Sequence, residues 1–437
     1  MSQQDKSNQA TMPRKTTVEC LRLISDGSGI GHIDGIATFV PGLLPGETAE
    51  VVVTKAKKKW QQARLLKINK RSPERIDAPC SVFEGCGGCQ LQHMSYKETL
   101  VWKRRWVEDA LTRIGKLSVE VKPMIGMEHP WRYRNKARLH RVPSGELGYF
   151  KERSKALVNF ADCLLLSERM NRWIRRTEEL LAKDAGYSEI HTLIFRENTN
   201  HEGLLLLEGP PSKVLSVAEN PDFFEALAKE GIRSVWGANA EGELQLIWGE
   251  EEFGQTILDL RFDVSPLSFL QVNSLQTDIL YKLVLDGAAL TGEEIVWDLY
   301  SGIGTLALAL ATKAKKVTGI EENPYAVENA IQNAVKNNAV GHVEFLKGKV
   351  EQRMMKIEEK PNVVVLDPPR AGLHGDVLER LLELKPERII YVSCDPGTLA
   401  RDLGGFTVGG YTVMSVQPVD MFPWTQHVET VVLIGLK

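Results

Sequence analysis

Residues 294–314 read EIVWDLYSGIGTLALALATKA. An apolar run ends in Ser301-Gly302-Ile303-Gly304-Thr305 and passes directly into a helical pattern. Glycine lets the backbone turn sharply and lets a ligand approach it closely, so the stretch reads as strand, cofactor turn and helix. The alternation continues through KVTGIE, NPYAVENAIQNAVKNN, VEFLKG, NVVVLD, DVLERLLEL, RIIYVSC and a helix starting near Pro396. Two strands with no helix between them, YTVMSVQP and HVETVVLIGL, end the chain. The fold class is α/β: residues 264–437 are expected to form a doubly wound, mostly parallel, Rossmann-like sheet with an antiparallel end.

The chain before that sheet reads differently. Residues 1–14 are polar and are expected to be a disordered tail. From residue 15 to 76, short apolar segments are punctuated by Gly27, Gly29, Gly31, Pro41-Gly42 and Pro45-Gly46, which predicts a small OB-like β-barrel with Cys20 in its core. Residues 77–263 mix helical and strand patterns and read as a central α/β domain, with a helix near 95–114. No internal repeat is visible.

The 437 residues are 43% hydrophobic and 25% charged, a globular composition spread over more than one core. Six cysteines are too few for a disulfide scaffold, no secretory signal opens the chain, and no apolar run reaches the ~18 residues of a membrane span. The expectation is a cytoplasmic monomer that engages neither membrane nor DNA. The net charge of −3 conceals a split: residues 1–150 hold 25 basic and 15 acidic residues, the remainder 29 and 42. A basic front suggests a polyanion partner. Between Val51 and Ile76 lie nine Lys/Arg and one acid, Glu74, with Trp60 placed to stack on a base. In WRYRNKARLHR (131–141), Arg132, Arg134, Lys136, Arg138 and His140 would share one strand face, suited to a phosphate backbone.

Four positions carry chemistry in the α/β part. Gly302-x-Gly304-x-x-Ala307 satisfies a dinucleotide pattern, with Glu321 where a ribose-binding acid belongs, so NAD(P) competes. Asp298 before the turn, and the downstream motifs, favour S-adenosylmethionine. Asp367-Pro368-Pro369-Arg370 fixes an acid at the C-terminal edge of the sheet. Cys394-Asp395-Pro396 puts a thiol just before a helix N-terminus, a field expected to lower its pKa, and marks a nucleophile. Glu429 interrupts an apolar strand, HVETVVLIGL, and suits a general base. Separately, Cys80-x5-Cys86-Gly87-Gly88-Cys89 and the distant Cys163 can ligate zinc or an iron–sulfur cluster.

Together, Asp298-Leu-Tyr-Ser-Gly-Ile-Gly, Asp367-Pro-Pro-Arg, Ser393-Cys-Asp-Pro and His427-Val-Glu-Thr resemble the RNA (uracil-C5)-methyltransferases. With a barrel that looks like a TRAM domain and four cysteines, the chain is similar to the RumA/RlmD type that methylates bacterial 23S rRNA. The resemblance implies a class I methyltransferase domain in 264–437 and an iron–sulfur domain in 77–263. It implies that Cys80, Cys86, Cys89 and Cys163 hold a [4Fe–4S] cluster. It also implies that Gln271, Tyr300, Glu321 and Asp367 bind S-adenosylmethionine, that Cys394 attacks C6 of a flipped uridine and that Glu429 removes the C5 proton. Ser301 stands where family members often have Cys, and Lys349 where an acid or amide often approaches the adenine. A tRNA T-loop uridine enzyme is the nearest alternative. An NAD(P)-dependent oxidoreductase and a non-catalytic iron–sulfur RNA-binding protein are the rivals from other classes.

Overall fold

The computed structural model describes residues 15–437 except 143, 153 and 240; the expected tail lies outside the described residues. The chain forms two compact units. One holds the residues up to Phe83 together with Cys89–Trp106 and Trp424–Gln426. The other holds Glu84–Gly88, Val107–Pro423 and His427–Lys437.

In the first unit, β1 (Lys15–Glu19), β2 (Arg22–Leu23), β3 (Gly29–Ile33), β4 (Ile36–Val40), β5 (Thr48–Ala56) and β6 (Trp60–Lys70) form a sheet ordered β1-β5-β6-β4-β3-β2. Val18, Cys20, Ile33, Val40, Leu43, Ala49, Val51 and Ala63 fill its interior. Cys20, expected in the core, is 1% exposed. The sheet curls until β3 meets β1. A Cβ on Gly31 would lie 2.1 Å from the Glu19 carbonyl oxygen and 2.6 Å from Val18 Cγ2, so only glycine fits there. Glu47, fully buried, accepts from the Leu44 and Ser72 N–H groups and pairs with Arg75 at 2.6 Å. Lys55 sits over the Trp60 ring, 5.6 Å from its centroid, so the tryptophan flagged for base stacking already carries a cation.

In the second unit, β7 (Lys136–Arg141), β8 (Leu147–Phe150), β9 (Leu157–Val158), β10 (Thr192–Glu197), β11 (Gly203–Glu208), β12 (Ile232–Ala238) and β13 (Leu244–Gly249) form a sheet ordered β13-β12-β11-β10-β7-β8-β9. Its core gathers Leu139, Trp173, Leu193, Phe195, Leu205 and Phe223.

The expected all-basic strand over 131–141 is corrected here, because β7 covers only its second half. Arg132 has φ 57°, which breaks a strand, and its guanidinium binds Asp162 at 2.6 Å. Arg134 donates to the Lys136 carbonyl, Arg138 pairs with Glu208 at 2.7 Å, and His140 stacks on Phe150 at 4.1 Å. Much of the basic face is spent within the fold. Lys136 is the exception: burial and the cations Arg196, Arg138 and Arg134 push its pKa down to about 7.

A hairpin of β14 (Gly254–Ile257) and β15 (Leu260–Asp263) leads to the third sheet. There β16 (Ile295–Leu299), β17 (Lys316–Glu321), β18 (Val343–Lys347), β19 (Val363–Leu366), β20 (Arg388–Ser393), β21 (Tyr411–Val419) and β22 (Glu429–Leu436) run in the order β18-β17-β16-β19-β20-β22-β21. All pairs are parallel except those made by β22, as the missing last crossover helix requires. Val296, Val317, Val363, Val365, Ile390 and Val392 give the buried strands their near-continuous apolar character. Among the described residues no helix is long and apolar enough to cross a membrane.

The closure of the first sheet is testable at Gly31. Gly31→Ala forces backbone apart at the β1–β3 contact and is expected to cost roughly 1–3 kcal/mol. Chemical denaturation followed by tryptophan fluorescence measures it. A midpoint equal to wild type would show that the sheet is open at this edge.

Candidate active site

The strand order reverses beside β16, and ligands of such sheets bind at the C-terminal edge there. After Leu299 the chain enters the left-handed region at Tyr300 (φ 69°), Gly302 (φ 55°) and Gly304 (φ 82°) before the helix Thr305–Ala311. The Tyr300 and Ser301 N–H groups donate to the Ile320 carbonyl at 2.9 and 3.0 Å. A Cβ on Gly304 would lie 2.6 Å from the Phe345 ring, so the turn packs directly against β18.

Glu321, at the end of β17, clamps this turn. Its Oε2 accepts from Gly302 N–H at 3.0 Å and its Oε1 from Asn323 N–H at 2.8 Å. Each oxygen keeps acceptor capacity for the hydroxyls of a ribose.

Asp298 lies inside β16, 1% exposed, with neither carboxylate oxygen hydrogen-bonded. Burial, then Asp367, and less strongly Glu321, hold its carboxyl well above the ordinary range, against the Ala307 N–H, which approaches outside hydrogen-bonding geometry. Sequence reading used Asp298 to choose the cofactor but gave it no place in the site; the signal was an acid inside an otherwise apolar strand. Gln271, 7% exposed, has an unpartnered Oε1, and Ser301 Oγ is likewise unpartnered. These buried acceptors fit a ligand that carries positive charge and hydrogen-bond donors, as S-adenosylmethionine does.

The second group lies on the adjoining strand ends. Asp367 follows β19, Cys394 follows β20, and Glu429 opens β22, 4% exposed. The structure brings the three together: Cys394 feels both Glu429 and Asp367, and Glu429 feels Asp367. Desolvation alone lifts Asp367 to about 7. Burial, then Asp367, raises Glu429 well above the carboxylate range, while Arg370 lowers it. Arg370 Nη2 lies 3.5 Å from His427 Nδ1.

The expected depression of the Cys394 pKa is overturned. Burial, then Glu429 and Asp367, push the thiol up to about 11, against Arg370. The helix N-terminus does not rescue it, because Asp395 already caps that helix, accepting from Thr398 N–H at 2.8 Å.

The four cysteines expected at a cluster are all half-buried. Cys86 and Cys163 belong to one unit and lie within electrostatic reach of each other, and Gly88 N–H donates to Cys86 Sγ at 3.4 Å. Cys80 and Cys89 belong to the other unit. Among the described residues no group of three or more His, Cys, Asp or Glu is placed to hold a metal, so the four-thiol site and its cluster are not part of the geometry. Lys349 starts the short helix Val350–Arg353 without a side-chain cap.

The raised thiol has a direct test. Since only the thiolate alkylates, Cys394 should react slowly with iodoacetamide at pH 7.5 and gain roughly tenfold per pH unit up to about 11. Peptide-resolved mass spectrometry of the folded protein measures it. A plateau below pH 8 would mean that the helix field prevails over burial.

Comparison with known proteins agrees with this arrangement. Residues 258–437 match the family model of tRNA (uracil-5-)-methyltransferase, and residues 14–66 match the TRAM domain. The chain is 40% identical to an uncharacterized RNA methyltransferase of Halalkalibacterium halodurans, with 95% of each chain covered. It is also 40% identical to one of Clostridium tetani, with 93% of each covered. The crystal structure of Pyrococcus abyssi tRNA (uracil-54, C5)-methyltransferase in complex with S-adenosyl-L-homocysteine superposes with a TM-score of 0.74 at 27% identity, covering 95% of this chain and 100% of that one. With the glycine turn, the orphaned buried acceptors and the thiol–carboxylate crevice, these likenesses settle the family: the chain belongs to the S-adenosylmethionine-dependent RNA (uracil-5-)-methyltransferases and carries a TRAM domain.

Proposed function

We propose that this enzyme methylates C5 of a uridine in 23S rRNA through a covalent bond between Cys394 and C6. The observation that carries the reading is the meeting of Cys394, Asp367 and Glu429 at one sheet edge. C5 of uracil is a poor nucleophile until a thiolate adds to C6. Cys394 first passes its proton to Asp367, which burial pushes up to about 7, and the step requires Glu429 to be ionised and left free for the C5 proton. Its sulfur then bonds to C6, and the C5–C6 π pair moves onto C5 and O4. S-adenosylmethionine, which Gln271, Tyr300, Glu321 and Asp367 would hold, would supply the methyl group to C5 as its S–CH3 bond breaks, leaving S-adenosylhomocysteine. Glu429 takes the C5 proton, the C5=C6 bond re-forms, and the C6–S bond breaks to return the thiolate.

The shifts described above suit both roles. A thiolate of high pKa is a stronger nucleophile once formed. A buried carboxylate, once ionised, is a stronger base than an exposed one. The uridine must leave its stack to reach a crevice this enclosed.

One observation favours a tRNA substrate as the second reading: the Pyrococcus abyssi enzyme, aligned over nearly the whole of this chain, is a tRNA (uracil-54, C5)-methyltransferase. Mapping 5-methyluridine in rRNA and tRNA of a deletion strain decides between them. Loss in 23S rRNA upholds the proposal, and loss in tRNA alone replaces it.

The cluster is also proposed. It rests on the Cys80, Cys86, Cys89, Cys163 pattern and the Gly88 N–H aimed at Cys86 sulfur. Anaerobically purified protein should be brown, with about four iron per chain. Colourless protein with one zinc would overturn it.

Cys394 and Glu429 should separate by step. Both Cys394→Ala and Glu429→Gln should abolish turnover, by three orders of magnitude or more for the nucleophile (~10³). Glu429→Gln should accumulate a methylated protein–RNA adduct that survives a denaturing gel, and Cys394→Ala and the double variant should form none. Normal turnover by Glu429→Gln would make that acid structural. 5-Methyluridine made by Cys394→Ala would end the covalent mechanism.

A further inference from the structure

The segment Ser265–Asn273, between the β14–β15 hairpin and the helix Ser274–Ala288, shows a contrast. Leu270 and Gln271 are 8% and 7% exposed, yet Phe269 between Ser268 and Leu270 is 72% exposed, flanked by Leu267 and by Leu275 of the following helix. Folding does not require a phenyl ring in water beside a buried glutamine, and surfaces of this kind mark binding sites.

The ring is also firmly presented. Arg196, itself 3% exposed, donates from Nε to the Pro266 carbonyl at 3.0 Å and from Nη2 to the Ser268 carbonyl. Asn329 Oδ1 accepts from Ser268 Oγ at 3.0 Å. Asn135 Nδ2 donates to Ser274 Oγ at 3.0 Å and to the Gln271 carbonyl at 3.4 Å. A side chain on a loop fixed by three others loses little freedom on binding.

The brace ties this loop to the basic strand. Arg196 pairs in register with Lys136, and Lys136 forms no ion pair among the described residues while Arg134, Arg138 and Arg196 crowd it. Cations gathered against their mutual repulsion suit an anion, and in a protein that acts on RNA that anion is a phosphate.

We propose that Phe269 is a stacking platform for an unpaired RNA base next to the target uridine, with Lys136 holding a phosphate of the same stretch. The proposal rests on RNA being the substrate and deepens the reading above by naming where the strand is gripped after the uridine leaves its stack. Base–aromatic stacking tolerates any base, so this grip would fix position without reading sequence.

The test uses full-length wild type, Phe269→Ala, Phe269→Trp and Lys136→Ala with a hairpin RNA whose loop uridine is flanked by 2-aminopurine, in the presence of S-adenosylhomocysteine. Wild type and Phe269→Trp should quench the 2-aminopurine. Phe269→Ala should lose the quench and bind this RNA roughly 5- to 100-fold more weakly. Lys136→Ala should keep the quench and lower the salt slope by about one unit or less. Calorimetric affinity for S-adenosylhomocysteine should match wild type in all four. The proposal fails if Phe269→Ala quenches and binds like wild type. It fails equally if cofactor affinity falls with the ring, which would place Phe269 on the cofactor. Neither readout involves methyl transfer, so a missing 5-methyluridine product would count against the uridine reading alone.

Discussion

Desolvation of carboxylates governs this molecule. Asp298, Asp367 and Glu429 stand on neighbouring strand ends, each held away from its ordinary ionisation chiefly by loss of water. Among the described residues, Arg370 opposes the shift at Glu429 and the Ala307 N–H that at Asp298. An interior that gathers acids without matching cations is unstable by itself, and it is tolerable where a cation belongs to the working state. The methyl donor of this family carries sulfonium and ammonium groups of that sign. The parallel sheet is what permits the arrangement, because it brings the ends of β16, β19 and β20 to one edge and lets β22 enter beside them antiparallel.

The same constraint explains the thiol. A cysteine before a helix N-terminus ordinarily becomes a thiolate. Here burial comes first, two acids share the crevice, and Asp395 already caps the helix end, so the Cys394 thiol is pushed up to about 11.

The alternation of strands and helices after residue 264 was legible in the sequence because buried parallel strands are uniformly apolar and their turns require glycine or proline. Asp367, Cys394 and Glu429 were legible because each is a polar residue placed at a strand end where packing wants none. What could not be read was electrostatic sign. Local position pointed to a depressed Cys394 pKa, and tertiary burial, followed by the placement of Glu429 and Asp367, reverses it. The basic strand failed for a related reason. Alternation predicts a face, but Asp162 and Glu208, distant in sequence, take up Arg132 and Arg138. Phe269 escaped notice because an apolar residue in an apolar stretch carries no signal until its exposure is known. Asp298 was visible as an anomaly, but that both its oxygens lack hydrogen-bond partners could be seen only in the fold.

The two compact units are not two consecutive lengths of chain. Trp424–Gln426 belongs with the barrel although it lies only three residues before Glu429, and its Trp424 carbonyl accepts from the N–H groups of Gln90 and Leu91. The Tyr96 ring packs on Trp424 at 5.2 Å. Glu84–Gly88 makes the opposite excursion. An architecture interleaved in this way resists modular exchange. Recombination that grafted a different barrel at any single cut would orphan a strap inherited from the far end of the gene, so the front and rear of this enzyme are bound to change in evolution as one piece.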